Sequence, residues 1–467
     1  MKRASLRGAA IGVRLAGVFA MLTVGAAACT SAAGAAERPN FLIIISDDQT
    51  WTDNGCYGHP IVQTPNIDRL AGQGMRFTRA FTATAMCTPS RSAMYTGLYP
   101  VRNGAYPNHS QVRPGVRSMP TYLAKLGYRV ALAGKTHIGP TEQFPFETMK
   151  RGEIGRFLKD VAEAPFCLVF AANDPHLPWA KNTSYDPGRF TVPPYLVDLP
   201  ETRAAMADYY TDVTNMDQEV GQALAALDDA GRADDTLVIY TSDQGAQFPF
   251  GKWTCYDTGL RVPLIARWPG RIPRGTTSDA MVHFVDVVPT LVELAGGPPP
   301  EDLDGRSFAD VLRGETSKHR DCVFGIQTTL GIIDATGPYA IRSVRTDRYQ
   351  YLRNLNHDGA FYNVLISQDK KYWPAWVERA KTDPNAAQLV RRYQHRPAEE
   401  LYDLENDPYE LDNLADDPAL QSVKAELAKR LDEWMRRQGD KGVATELEAF
   451  ERQGRKRRKP EPAKTRR

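Results

Sequence analysis

The chain has 467 residues, of which 42% are hydrophobic and 24% charged. This is the balance of a globular protein with room for one large α/β domain and a smaller one, and it excludes a fibrous or wholly disordered chain. A formal net charge of +2 gives no electrostatic case for a nucleic-acid partner, and past the first 36 residues no stretch is apolar for long enough to cross a bilayer.

In chain order the N-terminus comes first. Lys2, Arg3 and Arg7 precede an apolar run over residues 15–28, and Ala33, Gly34 and Ala35 have the small side chains of a cleavage site. Residues 1–36 therefore read as a secretory signal peptide, and the mature protein is expected to be exported, either to the periplasm or outside the cell. Cys29, behind three alanines, opens a second reading as a lipid-anchor site. Residues 37–315 have the texture of a catalytic α/β domain. Apolar runs at 40–46 (NFLIIIS), 129–133 (RVALA), 166–172 (FCLVFAA) and 237–242 (LVIYTS) predict buried strands. The spacing of apolar residues over 204–230, stopped by Gly231, predicts a long helix. Strands that are apolar on both faces and alternate with helices predict a large, mainly parallel sheet flanked by helices. Beyond residue 315 the pattern changes. Residues 339–355 predict strands of an antiparallel hairpin or meander and 422–437 an amphipathic helix, so 316–450 are expected to form a smaller C-terminal α+β subdomain. Residues 451–467 are rich in Lys and Arg and are expected to be a disordered, solvated tail, with contact to polyanionic glycans as its alternative use.

The residues just past each predicted strand point to chemistry. Asp47 and Asp48 come after the first, Gly134, Lys135 and His137 after the second, Asp174 and His176 after the third, and Asp243 and Gln244 after the fourth. Ligands of open α/β sheets bind at the carboxyl ends of strands, so carboxylates, a lysine and two histidines are predicted to meet at one edge. Any one of these residues has an ordinary structural explanation; four strand ends together do not. Asp47, Asp48, Asp243 and Gln244 offer only oxygen donors, which suits Ca²⁺ or Mg²⁺ rather than zinc. Cys87-Thr88-Pro89-Ser90-Arg91 precedes Gly97, with Pro89 placed for the first turn of a helix and Gly97 for its end. Cys87 would then lie at a helix N-terminus, which favours an oxyanion, with Arg91 adding fixed positive charge. Cys56, Cys167, Cys255 and Cys322 remain for one or two disulfides in an oxidising compartment, although Cys167 in its apolar run reads equally well as a buried thiol.

The run Cys87 to Arg91 with the later Thr96-Gly97 resembles the signature of type I sulfatases, in the alkaline phosphatase superfamily. Further similar stretches occur in order: 39–48 (PNFLIIISDD), 64–74 (TPNIDRLAGQG), 134–137 (GKTH), 242–245 (SDQG), 260–264 (LRVPL), 286–290 (DVVPT), 303–307 (LDGRS) and 400–414 (ELYDLENDPYELDNL). The resemblance implies an alkaline phosphatase-like sulfatase fold and a maturating enzyme that converts Cys87 to formylglycine (3-oxoalanine), whose hydrated aldehyde attacks sulfur. It implies one Ca²⁺ held by Asp47, Asp48, residue 87, Asp243 and Gln244, although the position of Gln244 is commonly Asn or His in that family. It implies that Arg91, Lys135 and Lys252 stabilise sulfate oxygens, that His176 protonates the leaving atom, and that His137 deprotonates the remaining hydroxyl. Lys252 lies on a glycine- and aromatic-rich loop whose position the sequence leaves open, and His109 carries no motif beyond a place that would line the pocket. Residues 134–140 (GKTHIGP), 99–108, 116–120 (VRSMP) and 247–251 (QFPFG) are similar to the heparan N-sulfatase branch, which implies a sulfated glycan as substrate and the N-sulfate of glucosamine as one target. An O-sulfatase for another polysaccharide, such as an algal one, would share the core motifs. A phosphonate or phosphodiester hydrolase and an inactive glycan-binding protein are the remaining alternatives.

Overall fold

Asn40–Ser46 (β1) is buried along its whole length, as an unbroken apolar run requires, and lies inside a nine-stranded sheet. The computed structural model describes residues 38–161, 164–182, 184–368 and 372–453. The signal-peptide reading, Cys29 and most of the basic tail lie outside the described residues. Among the described residues no helix is long and apolar enough to cross a membrane.

The other strands of this sheet are Met75–Phe81 (β2), Arg129–Gly134 (β3), Glu147–Met149 (β4), Phe166–Ala171 (β5), Thr236–Ser242 (β6), Arg261–Arg267 (β7), Thr276–Ser278 (β8) and Val282–His283 (β9). Their order is β4-β3-β5-β1-β6-β7-β2-β8, with β9 also on β2. The pairs from β4 to β6 are parallel, and β7 runs against both its neighbours. The four strands read from the sequence are thus adjacent. Their ends are in register, with Ile45 opposite Ala171, Ser46 opposite Ser242, and Gly134 opposite Ala171. Alternation along β1 sends Leu42 and Ile44 to one core, with Ile67, Leu70, Met216 and Val220 from the helices Pro65–Gln73 and Pro200–Asp229. Phe41, Ile43 and Ile45 face the other, with Met94 and Tyr95 of the helix Cys87–Thr96 and Val288 and Leu291 of Val287–Leu294. Each such side chain contributes about 1.5–3 kcal/mol by leaving water, so the sheet edge is a rigid platform. The long helix begins at Pro200, where a missing N–H costs nothing, and the chain leaves it at Gly231 with φ 67°.

Strands β2 and β7 are not legible as buried strands. Arg76 and Arg79 interrupt the first, and Pro263 breaks the second. Proline has no N–H for a ladder, and Pro263 falls where the β2–β7 register shifts, between the pairs Phe77–Leu264 and Ala80–Val262.

Val323–Gln327 (β10), Ile341–Arg345 (β11), Tyr349–Asn354 (β12) and Glu399–Asp403 (β13) form a second, antiparallel sheet. The helix Gln421–Gln438 covers it, with Trp434 stacked on Phe324 at 5.0 Å between ring centroids. This sheet is tied to the segment that leads into Cys87: the Ile326 N–H donates to Ala83 O at 2.9 Å, and Thr84 Oγ1 to Gln327 Oε1 at 3.3 Å. The cysteines Cys56, Cys167, Cys255 and Cys322 are all free thiols, so none of the disulfides the sequence allows is formed. Cys167 is a core residue of β5.

Candidate active site

The adjacent ends of β3, β5, β1 and β6 bring Lys135, His176, Asp47, Asp48, Asp243 and Gln244 together, and the loop after β2 carries Cys87 over them. Cys87 opens a helix whose every residue is buried, and Gly97, at φ 71°, closes it. The helix is fastened to the end of β6. Ser90 Oγ donates to Asp243 O at 2.6 Å, and Arg91 Nε donates to Asp243 Oδ2 at 2.9 Å. Arg91 Nη2 also lies 3.6 Å from Asp47 Oδ1. Placing the nucleophile candidate therefore depends on Ser90 and Arg91 as well as on backbone geometry.

Three carboxylates face three cations. Asp47 pairs with Lys135, Asp48 Oδ2 lies 2.5 Å from Lys252 Nζ, and Asp243 Oδ2 lies 2.9 Å from Arg91 Nη2. Burial pushes the Asp243 carboxyl up, opposed by Arg91. Burial also opposes the charge on Lys252, yet Asp48, with Cys87 and Asp47, holds its pKa above the ordinary lysine value. Lys135 behaves likewise, held up by Cys87 and Asp47. The Cys87 thiol is driven up to about 12, chiefly by burial, so the unmodified residue is a neutral thiol and not a ready nucleophile.

The residues fit a hard divalent cation. Asp47, Asp48 and Cys87 each present a ligand atom within 4.8 Å of the others. Gln244 Nε2 donates to Asp48 Oδ1 at 2.6 Å and to Cys87 Sγ at 3.1 Å, while its buried Oε1 has no hydrogen-bond partner. The sequence predicts that Gln244 offers a carbonyl oxygen. Here it turns its amide nitrogen to the carboxylate instead, because an anion draws a donor. A half-turn of the amide would bring the orphaned oxygen to the same place, where a cation would satisfy it. Cys87 Sγ stands in for the oxygen that a converted residue 87 would carry.

Two histidines complete the edge. His176 Nδ1 lies 2.6 Å from Leu177 O, an oxygen that can only accept, so Nδ1 carries a proton and Nε2, 3.7 Å from Asp48 Oδ2, is the nitrogen turned to the carboxylates. Its side chain is 35% exposed against 3% for Lys252, which puts His176 at the mouth and Lys252 at the floor. His137 Nε2 meets His109 Nδ1 at 2.9 Å, and its buried Nδ1 has no partner. Burial first, then Lys135 and His109, lower the His137 pKa, so the ring is neutral. His109, read from the sequence only as a residue that would line the pocket, joins the site, and so do Asn108 and Gln247, to which the sequence reading gives no individual role. Asn108 Oδ1 accepts from the Thr88 N–H at 3.2 Å, and Gln247 Oε1 accepts from Lys252 Nζ at 3.3 Å. Asp48, His109, His137, Phe250 and Trp253 all hold positive φ without being glycine. Such backbone strain gathers where surrounding structure fixes a functional geometry.

The sulfatase family profile matches residues 39–153 and 151–297, and that of the N-sulphoglucosamine sulphohydrolase C-terminal region matches 245–371. An ulvan-active sulfatase of Formosa agariphila is 35% identical over 421 residues, covering 86% of this chain and 81% of its own. Human N-sulphoglucosamine sulphohydrolase is 32% identical over 460 residues, covering 85% and 90%. Among solved structures, one in complex with its substrate D-glucosamine-2-N,6-O-disulfate superposes with a TM-score of 0.68 at 21% identity, covering 87% of this chain and 99% of that one. At that identity the likeness speaks for the fold.

Proposed function

The chain belongs to the sulfatase family, and from that premise we propose that it is an exported enzyme releasing sulfate from a sulfated glycan. Residue 87, converted from cysteine by a separate maturating enzyme, is its nucleophile, and one Ca²⁺ sits beside it. The observation that carries this reading is Cys87 buried against three carboxylates and three fixed cations at the carboxyl edge of the sheet.

As formylglycine, residue 87 supplies a hydrated aldehyde hydroxyl for attack at sulfur. Asp47, Asp48, residue 87, Asp243 and Gln244 would hold the calcium ion, which when bound would supply positive charge to stabilise the sulfate group. Arg91, Lys135 and Lys252 hold the anion and answer the charge that grows on its oxygens. Because they are already fixed by buried carboxylates, they need little reorganisation as that charge develops. His176 gives the proton on Nε2 to the departing oxygen or nitrogen, while its Nδ1–H stays on Leu177 O and keeps the ring aimed. His137, whose buried Nδ1 has no hydrogen-bond partner, takes the proton of the remaining hydroxyl of residue 87.

For the substrate, the match of residues 245–371 to the N-sulphoglucosamine sulphohydrolase C-terminal region and the human relative support the N-sulfate of glucosamine. The ulvan-active relative supports a second reading, an O-sulfatase for an algal polysaccharide. Co-expression with a maturating enzyme, then measurement of free sulfate from N-sulfoglucosamine, 6-O-sulfated N-acetylglucosamine and ulvan oligosaccharides, separates them, with Cys87→Ala as the blank. Release from N-sulfoglucosamine alone supports the first reading, and release only from an O-sulfated sugar supports the second. No release from any of them, with formylglycine verified at residue 87 by peptide mass, would move the assignment to phosphodiester hydrolysis or glycan binding.

A further inference from the structure

We propose that Glu446, Arg452 and Gln453, near the C-terminus, are a clasp that positions the active site by holding two loops, 104–111 and 328–331, around the Cys87 turn. Arg452 brackets the first loop from both ends, Nε donating to Gly104 O and Nη2 to Gln111 O, each at 2.8 Å. Gln453 Nε2 reaches both loops, donating to Asn108 O and lying 3.4 Å from Gly331 O. Glu446 Oε1, wholly buried, accepts the N–H groups of Thr329 at 2.8 Å and Leu330 at 2.7 Å.

The first loop touches the reacting end of the molecule directly. Asn108 Oδ1 accepts from the Thr88 N–H at 3.2 Å, and the His109 N–H donates to Thr88 Oγ1 at 3.1 Å, one residue from Cys87. His109 Nδ1 makes the 2.9 Å contact to His137 Nε2. The backbone of His109 sits at φ 57°, a conformation a non-glycine residue keeps only when its surroundings impose it. The clasp supplies that restraint from three carbonyl contacts, at Gly104, Asn108 and Gln111, spread along the loop. Gly104 and Gly331, at φ 92° and 95°, are where Arg452 and Gln453 come too close for a Cβ. Arg452 and Gln453 are thus positioning residues, which act through Asn108 and His109.

The role in turnover rests on the sulfatase reading of the Cys87 site, whereas the holding of the loop does not. The test uses the full chain co-expressed with a maturating enzyme, as wild type, Arg452→Met, Gln453→Ala and, as control, the exposed Glu451→Gln. Amide hydrogen exchange is monitored over residues 104–111 and 328–331, with melting temperature, kcat and KM for sulfate release. Exchange in 104–111 should rise about tenfold in both clasp variants, and kcat should fall about ten- to a hundredfold, the scale of a misplaced catalytic group. The melting temperature and the Glu451→Gln control should stay near wild type. If Arg452→Met folds poorly, Gln453→Ala, which leaves the preceding helical turn intact, decides. Unchanged loop exchange overturns the clasp whether or not sulfate is released, and a loosened loop with wild-type kcat and KM overturns its positioning role. A loosened loop in variants of a wild type that carries formylglycine at residue 87 by peptide mass, yet releases no sulfate, leaves the clasp standing and removes the sulfatase reading.

Discussion

Lys252→Met tests the charge balance of the site. Asp47, Asp48 and Asp243 are matched by Lys135, Lys252 and Arg91. Lys252 is 2% exposed and Asp48 is wholly buried, so removing the ammonium leaves a buried carboxylate without its partner. Breaking such a pair costs about 3–5 kcal/mol. An unfolding entropy of roughly 2.1 cal/mol/K per residue, taken over 467 residues, comes to about 1 kcal/mol/K, so the melting temperature in EDTA should fall by about 3–5 °C. Calcium should act in the opposite sense. With one positive charge fewer beside it, the carboxylate set attracts a divalent cation more strongly, and the variant should bind calcium about tenfold or more tightly, equivalent to about 1.4 kcal/mol. Saturating calcium should therefore raise the variant's melting temperature further than the wild type's. Scanning fluorimetry in EDTA and in excess calcium, with calorimetric titration of calcium, measures both effects. Equal stability in EDTA, or a smaller calcium response in the variant, would refute the argument that Lys252 neutralises Asp48.

Particular contacts give three further outcomes. His176→Ala should slow sugar sulfates by about 10²–10⁴-fold, the usual worth of a general acid, but slow an aryl sulfate with an acidic leaving group far less; equal losses on both would remove the acid role. Gly245→Ala would drive a Cβ into the carbonyl oxygen of Thr258 just after Asp243 and Gln244, so it should destabilise the fold by about 1–3 kcal/mol and weaken calcium binding, measured by denaturant titration and calorimetry. The third concerns Glu446, whose carboxyl burial raises to about 7 against the opposing N–H groups of Leu330 and Thr329. A raised folded-state pKa gives stability that is complete below the unfolded value near 4.5 and is lost as pH rises through 7. Glu446→Gln should flatten the fall in stability between pH 4.5 and 7, and an unchanged pH slope would show that Glu446 does not titrate there.

The legible part of this site is the part attached to strands. Asp47, Asp48, Lys135, His176, Asp243 and Gln244 each come after an apolar run, and because those runs are neighbours in one parallel sheet, sequence order alone delivers them to one edge. Lys252 is different. Its loop reads as free to shift, but Lys252 N donates to Ala246 O at 2.9 Å and Gly251 N to Phe248 O at 3.0 Å, and Phe250 and Trp253 take left-handed backbone on either side. A knot of local hydrogen bonds, with no apolar periodicity, fixes this lysine. His109 reads only as a pocket-lining residue without a role, for a related reason: its place depends on a left-handed backbone and on a loop held by a segment more than three hundred residues away. The clasp has no signature at all, since Arg452 and Gln453 bind backbone carbonyls, which every residue type presents alike. Gln244 is legible as a site residue, but its amide orientation depends on which charge stands opposite, and that is a property of the assembled site.

The lysines of this site have two possible anionic partners. Asp47 and Asp48 occupy Lys135 and Lys252, and an arriving sulfate must compete with carboxylates for the same ammonium groups. When a divalent cation takes up those carboxylates, the lysines keep their positions but lose part of their compensation, and their charge turns toward the incoming anion. Arg91 is placed for the same exchange: its Nη1, buried and without a hydrogen-bond partner, retains unused donors beside Asp243. Affinity for sulfate should therefore rise with calcium occupancy, and by linkage sulfate should raise affinity for calcium by the same factor. The reciprocity arises from three cations shared between two sets of negative charge. It requires no movement of the sheet edge, which suits a site built on the ends of four packed strands rather than on a closing lid.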